Sequence, residues 1–113
     1  MMLDHERLDV YQCAIRFVAT ALDLLANMPK GQAQLADQLR RAAFSIPLNI
    51  AEGAGKVTPR DRSRFHAIAR GSAMECGAIL DIIALLDMPA DADIPACKAL
   101  LVRVVSMLSK MCR

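Results

Sequence analysis

Aromatic residues are scarce. Tryptophan is absent, tyrosine occurs once and phenylalanine three times in 113 residues. Apolar residues still make up 55% of the chain, so Ala, Leu, Ile, Val and Met must fill the core. Alanine and straight-chain residues lose little freedom in a helix, and the mix favours helices. No apolar run reaches the roughly 18 residues of a membrane span. Met1 to Glu6 shows no basic segment leading into an apolar one, so no secretory signal is expected and the expected compartment is the cytoplasm. Cysteine pairs are missing too. Cys13, Cys76, Cys97 and Cys112 form no C-x-x-C and have no histidine at ligand spacing, which argues against zinc. In the expected compartment they read as reduced core or interface thiols. There is no Glu-x-x-His pair for a di-iron bundle, no nucleophile beside an obvious base and no Gly-rich phosphate loop. The expectation is a protein without metal, cofactor or catalytic activity.

The length fits one domain, residues 1–113. Helix 1 is predicted over Glu6 to Asn27, with Leu8, Tyr11, Ile15, Val18, Leu22 and Leu25 spaced as a heptad seam. Leu22 is taken as a core residue of that seam. Met28-Pro29-Lys30-Gly31 ends the helix. Helix 2 begins near Gln32, carries Leu35, Leu39, Ala42 and Ile46 on one face, and ends at Gly53 or Gly55 as a left-handed cap. Thr58-Pro59-Arg60-Asp61 reads as a helix start: Thr58 at the N-cap, Pro59 at the first helical position, Asp61 at the positive helix end. Helix 3 then runs to about Asp87, with Phe65, Ile68, Ser72, Cys76, Ile79, Ile83 and Leu86 on one side. Its Gly71-Ser72 pair suggests close packing on Ala42 and Ala43. Helix 4 starts near Ile94, with Cys97, Leu101, Val104, Leu108 and Met111 at heptad spacing. Short connections between four helices imply an all-α, antiparallel up-down-up-down bundle.

Helix 1 carries a second apolar set, Val10, Cys13, Phe17 and Leu24, nearly opposite the first. One core cannot bury both sides of an outer helix, so this set is expected at an oligomer interface. Met74 and Leu85 add a weaker outward set on helix 3.

Net charge is only +2, but it is unevenly spread. Arg40, Arg41, Lys56, Arg60, Arg62, Arg64 and Arg70 face only Glu52 and Asp61 between Gln38 and Arg70. Arginine suits bidentate phosphate contacts, and a helix N-terminus favours anions. These seven are the candidate nucleic-acid contacts, set against the plainer reading of a solvated loop and helix start. With so few aromatics, binding would rest on phosphates and read no sequence.

The segment around Pro47 is unusual, because a proline inside a helix costs about 3 kcal/mol. Asn49, two residues on, is suited to bonding the carbonyl that Pro47 leaves free. Glu52 is the best candidate for a catalytic carboxylate, although a structural role for both outweighs it. His66 is placed on the surface and His5 in a fraying terminus.

The run Gln38-Leu39-Arg40-Arg41-Ala42-Ala43, then Ser45-Ile46-Pro47 and Asn49-Ile50-Ala51-Glu52-Gly53, resembles the hallmark of a bacterial four-helix-bundle family. That family includes proteins encoded within intervening sequences of large-subunit ribosomal RNA genes and accessory variability proteins of diversity-generating retroelements. Leu8 to Gln12, Arg64-Phe65, Ile68-Ala69, Gly71-Ser72 and Glu75 extend the match over about two-thirds of the chain, and Cys76-Gly77-Ala78 departs from it. The resemblance implies a ring-like homopentamer that binds RNA or DNA through basic surfaces. For a gene beside a retroelement, it implies a reverse transcriptase as partner. It marks Pro47, Asn49, Glu52 and Gly53 as structural motif residues. The other reading is an oligomeric protein-interaction scaffold with no nucleic-acid role.

Overall fold

The computed structural model describes residues 1–112. After a short 3-10 turn, Asp4–Arg7, come four helices: α1 (Asp9–Ala26), α2 (Ala33–Ala54), α3 (Pro59–Ile83) and α4 (Ile94–Met111). No strand occurs among the described residues. Each helix packs on its neighbour in the chain, and α4 closes back onto α1 around one shared core. Contacts across the pairs fix direction. Gly53 lies against His66 and Ser45 against Ser72, so α2 and α3 are antiparallel. Arg70 meets Ser109, and Asp81 meets Lys98, so α3 and α4 are antiparallel. Cys13 meets Leu100, and residues near Asp23 face those near Asp93, so α4 and α1 are too. The four-helix bundle therefore runs up-down-up-down.

The helix starts follow local chemistry. The Thr58 side chain accepts from the Asp61 amide at 3.2 Å, with Pro59 opening α3. Asp93 caps α4 through the Ala96 amide at 3.0 Å. The ends depart from expectation at two places. Helix α3 stops at Ile83 rather than Asp87. Neither Gly53 nor Gly55 is a left-handed cap: Gly53 lies buried inside α2, Gly55 is right-handed, and the positive φ belongs to Gly31.

The core corrects the reading of helix 1. Val10, Cys13, Phe17 and Leu24, expected at an oligomer interface, are buried with Ala14 and Ala21 inside the protomer. The expected seam is the outer face, with Ile15 and Leu22 exposed and Tyr11, Val18 and Leu25 half-buried. Both stripes exist, but small side chains decide which turns inward. Ala14 and Ala21 let α1 approach its neighbours with Phe17 filling the gap, and close packing selects that face over a more aliphatic one.

The other cores agree with the pattern except at Ile68, expected on the inner side of helix 3 but exposed, since Ala69 and Ala73 take the inward positions beside it. Leu39, Ala42 and Ile46 of α2, Cys76, Ile79 and Ile83 of α3, and Cys97, Leu101, Val104 and Leu108 of α4 are buried. Burial pushes the Cys76 thiol up to about 12, helped by the Glu75 charge. It behaves as a small inert hydrophobe.

Helix α2 continues through Pro47, which is buried. Asn49 Nδ2 donates to the Ser45 carbonyl at 2.8 Å and to Ser45 Oγ at 2.9 Å. It does not reach the carbonyl of Ala43, four residues before the proline. Ser45 Oγ lies 2.8 Å from Ser72 Oγ, so the motif asparagine begins a short polar bridge from α2 to α3. Ser72 makes this approach, whereas Gly71 is exposed and a Cβ there would meet nothing within 4 Å.

Candidate functional site

The seven basic residues do not share one face. Arg62, on the inner side of the first turns of α3, donates from Nη1 to the carbonyls of Lys56 and Val57, each at 3.0 Å. It clamps the α2–α3 turn. Arg70 donates from Nε to Ser109 Oγ at 2.8 Å and ties α3 to α4. Arg40 pairs with Asp37 at 3.0 Å on the surface of α2. Arg41 lies in a groove between α2 and α3 with Gln38, Ser45, Ser72 and Glu75. The helical rise puts it about 20 Å from Lys56.

Lys56, Arg60 and Arg64 remain. Arg60 and Arg64 are four apart on α3 and share a surface. Lys56 follows the end of α2, held only loosely by Glu52 at 3.7 Å across two exposed side chains. Exposed pairs of this kind contribute about 0–1 kcal/mol. Between the cations sits the half-buried Phe65. Lys56 Nζ lies 5.0 Å and the Arg64 guanidinium 4.9 Å from its ring centroid. The α2–α3 turn thus presents two cations over one aromatic ring, with Arg60 one helical turn before Arg64. The sequence shows the charges but hides the ring's role, because Lys56 reaches Phe65 only once the turn folds α2 back along α3.

Glu52 and Gly53 part company. Glu52 faces solvent beside Lys56, and it meets no convergent polar groups that would make it an acid or base. Gly53 is buried: a Cβ there would lie 2.9 Å from His66 Nε2 and 3.2 Å from the Arg62 carbonyl. His66, expected on the surface, is 5% exposed. Among the described residues neither ring nitrogen has a hydrogen-bond partner. Burial lowers its pKa, the nearby Met111 backbone opposes this without completing a bond, and the Arg62 charge adds to the lowering. The imidazole is therefore neutral. It borders an open cleft of about 450 Å³ shared with Asp4, Arg62, Ser63 and Met111. Among the described residues no three His, Cys, Asp or Glu gather to hold a metal ion.

The two ends of the bundle differ in charge. The α2–α3 turn gathers Lys56, Arg60, Arg62 and Arg64 against Glu52, Asp61 and the nearby Asp4. At the opposite end Asp23, Asp91 and Asp93 line one cleft. Asp87 belongs to the same α3–α4 connection, and Asp81 is paired with Lys98 nearby.

An apolar face is also left open. Ile15 and Leu22 on α1 and Phe44 and Leu48 on α2 are exposed, Leu48 by 66%. Antiparallel pairing sets Ile15 level with Phe44. Met74 on α3 is exposed as expected, and Leu85 is exposed too but lies just beyond the end of α3.

No helix among the described residues is long and apolar enough to cross a membrane. A family model described as 23S rRNA-intervening sequence protein matches residues 6–110, from the turn before α1 almost to the end of α4. No curated protein matches the chain.

Proposed function

The chain belongs to the 23S rRNA-intervening sequence protein family, and from that premise we propose that it is a non-catalytic, cytoplasmic homo-oligomer that binds nucleic acid. Binding is through phosphates and reads no sequence. The observation that carries this reading is the gathering of Lys56, Arg60 and Arg64 at the α2–α3 turn, while Arg62 and Arg70 are engaged within the protomer and Arg40 lies beside Arg41, far along α2 from that turn, in an exposed pair with Asp37. Arg41 is a peripheral contact. The oligomer, a pentamer by family resemblance, forms through the open face of Ile15, Leu22, Phe44 and Leu48, not through the buried Phe17 stripe. Repeating the basic turn in each copy raises avidity above that of one weak site.

Fluorescence anisotropy with labelled RNA and DNA at low salt tests the proposal. Three phosphates neutralised on a single strand give a log–log salt slope near about −2. Replacing Lys56, Arg60 and Arg64 together with glutamine should weaken binding to every sequence alike and flatten that slope. Absence of binding to either nucleic acid below about 100 μM, where non-specific binders register, rejects this reading. The open apolar face then favours the second one, an oligomeric protein-interaction scaffold.

A further inference from the structure

We infer that Phe65, between Lys56 and Arg64, is a base-stacking platform that makes this surface prefer single-stranded nucleic acid to duplex. The inference rests on the nucleic-acid reading above and goes further, because three cations alone bind any polyanion. Both cations lie over the ring, at 5.0 and 4.9 Å from its centroid, so in the free protein they cover a half-buried aromatic that would otherwise meet water. Neither is fixed there. Lys56 has only its loose contact with Glu52, and Arg64 is an exposed residue. A cation over an exposed ring contributes about two- to fivefold to an equilibrium. A base stacked on a ring contributes about 5- to 150-fold. The exchange therefore runs towards the base when a strand supplies both a base and flanking phosphates. Lys56 and Arg64 move onto the phosphates, the ring is uncovered and a base takes their place. Arg60, four residues before Arg64, extends the phosphate track. A duplex offers more closely spaced phosphates but keeps its base faces stacked on one another, so it gains the charge contacts without the ring.

The test uses the full chain and three labelled probes of about 12 nucleotides: a mixed-sequence single strand, its duplex, and a strand of the same length in which every site is abasic. The single strand should bind at least about fivefold more tightly than the other two. Phe65→Leu should abolish that advantage and leave abasic affinity unchanged, and Phe65→Tyr should keep it. Circular dichroism and the thermal midpoint check that both variants fold. Equal binding of the single and abasic strands overturns the inference while leaving phosphate binding intact. So does a Phe65→Leu loss shared equally by all three probes, which marks a structural role for the ring. If no probe binds, the nucleic-acid reading falls and this inference falls with it.

Discussion

Single residues in this bundle are governed by what lies across the helix pair from them. His66 is the clearest case. It sits on α3 among arginines in the sequence, yet Gly53 on α2 leaves a space that the imidazole fills. A neutral, buried histidine without a hydrogen-bond partner makes stability depend on pH. Its native pKa is below the ordinary value of 6.5. Above that value neither state is protonated, and the residue contributes no pH dependence. As the pH falls through it, the unfolded chain takes up a proton first, so the native state loses stability until the lowered native pKa is passed. The urea midpoint of the wild type should therefore fall between about pH 7 and pH 5.5. In His66→Phe, over the same window, it should fall less. Parallel pH profiles for the two proteins would reject this account. Such burial is not legible in a single chain, because no local pattern around His66 records a glycine thirteen residues earlier (Gly53) on the facing helix.

Elements were largely legible, with one instructive exception. The start of α3 could be read in advance because Thr58, Pro59 and Asp61 act within one turn. The span of α2 through Pro47 was legible in so far as its end was read at Gly53 or Gly55, beside the observed Ala54. The orientation of α1 was not. It carries two apolar stripes, and the sequence favours the more aliphatic one, whereas packing chose the stripe with Ala14, Phe17 and Ala21. The consequence is measurable. Phe17→Ala should cost about 3–5 kcal/mol in chemical denaturation, as for a buried aromatic. Leu22→Ala, at a side chain 45% exposed, should cost under about 1 kcal/mol to the protomer. A Leu22 loss of several kcal/mol would restore the seam that the structure sets aside. The candidate site was legible to the same degree. The charges of Lys56, Arg60 and Arg64 stood out as a run, but the diversion of Arg62 and Arg70 to internal partners, and the approach of Lys56 to Phe65, depend on how α3 meets α2 and α4.

At the scale of the whole molecule, assembly and charge are the quantities to test. If copies associate through the open α1–α2 face, Leu48→Glu should lower the sedimenting mass while helix content persists. Phe17→Glu should instead abolish helix content, since it places a carboxylate in the core. A wild-type monomer at micromolar concentration would reject assembly altogether. The difference between the two ends has a separate effect. The bundle is 45 Å long and 25 by 21 Å across, with arginines turning the corner at one end and aspartates crowding the other. A polyanion in solution therefore exerts a torque on the protein before touching it, drawing the α2–α3 turn forward and pushing the α3–α4 connection away. If the chain binds nucleic acid as proposed, the approach is end-on. The footprint on a strand is then set by the width of the bundle rather than its length, and copies standing side by side would each engage a short stretch of the same chain.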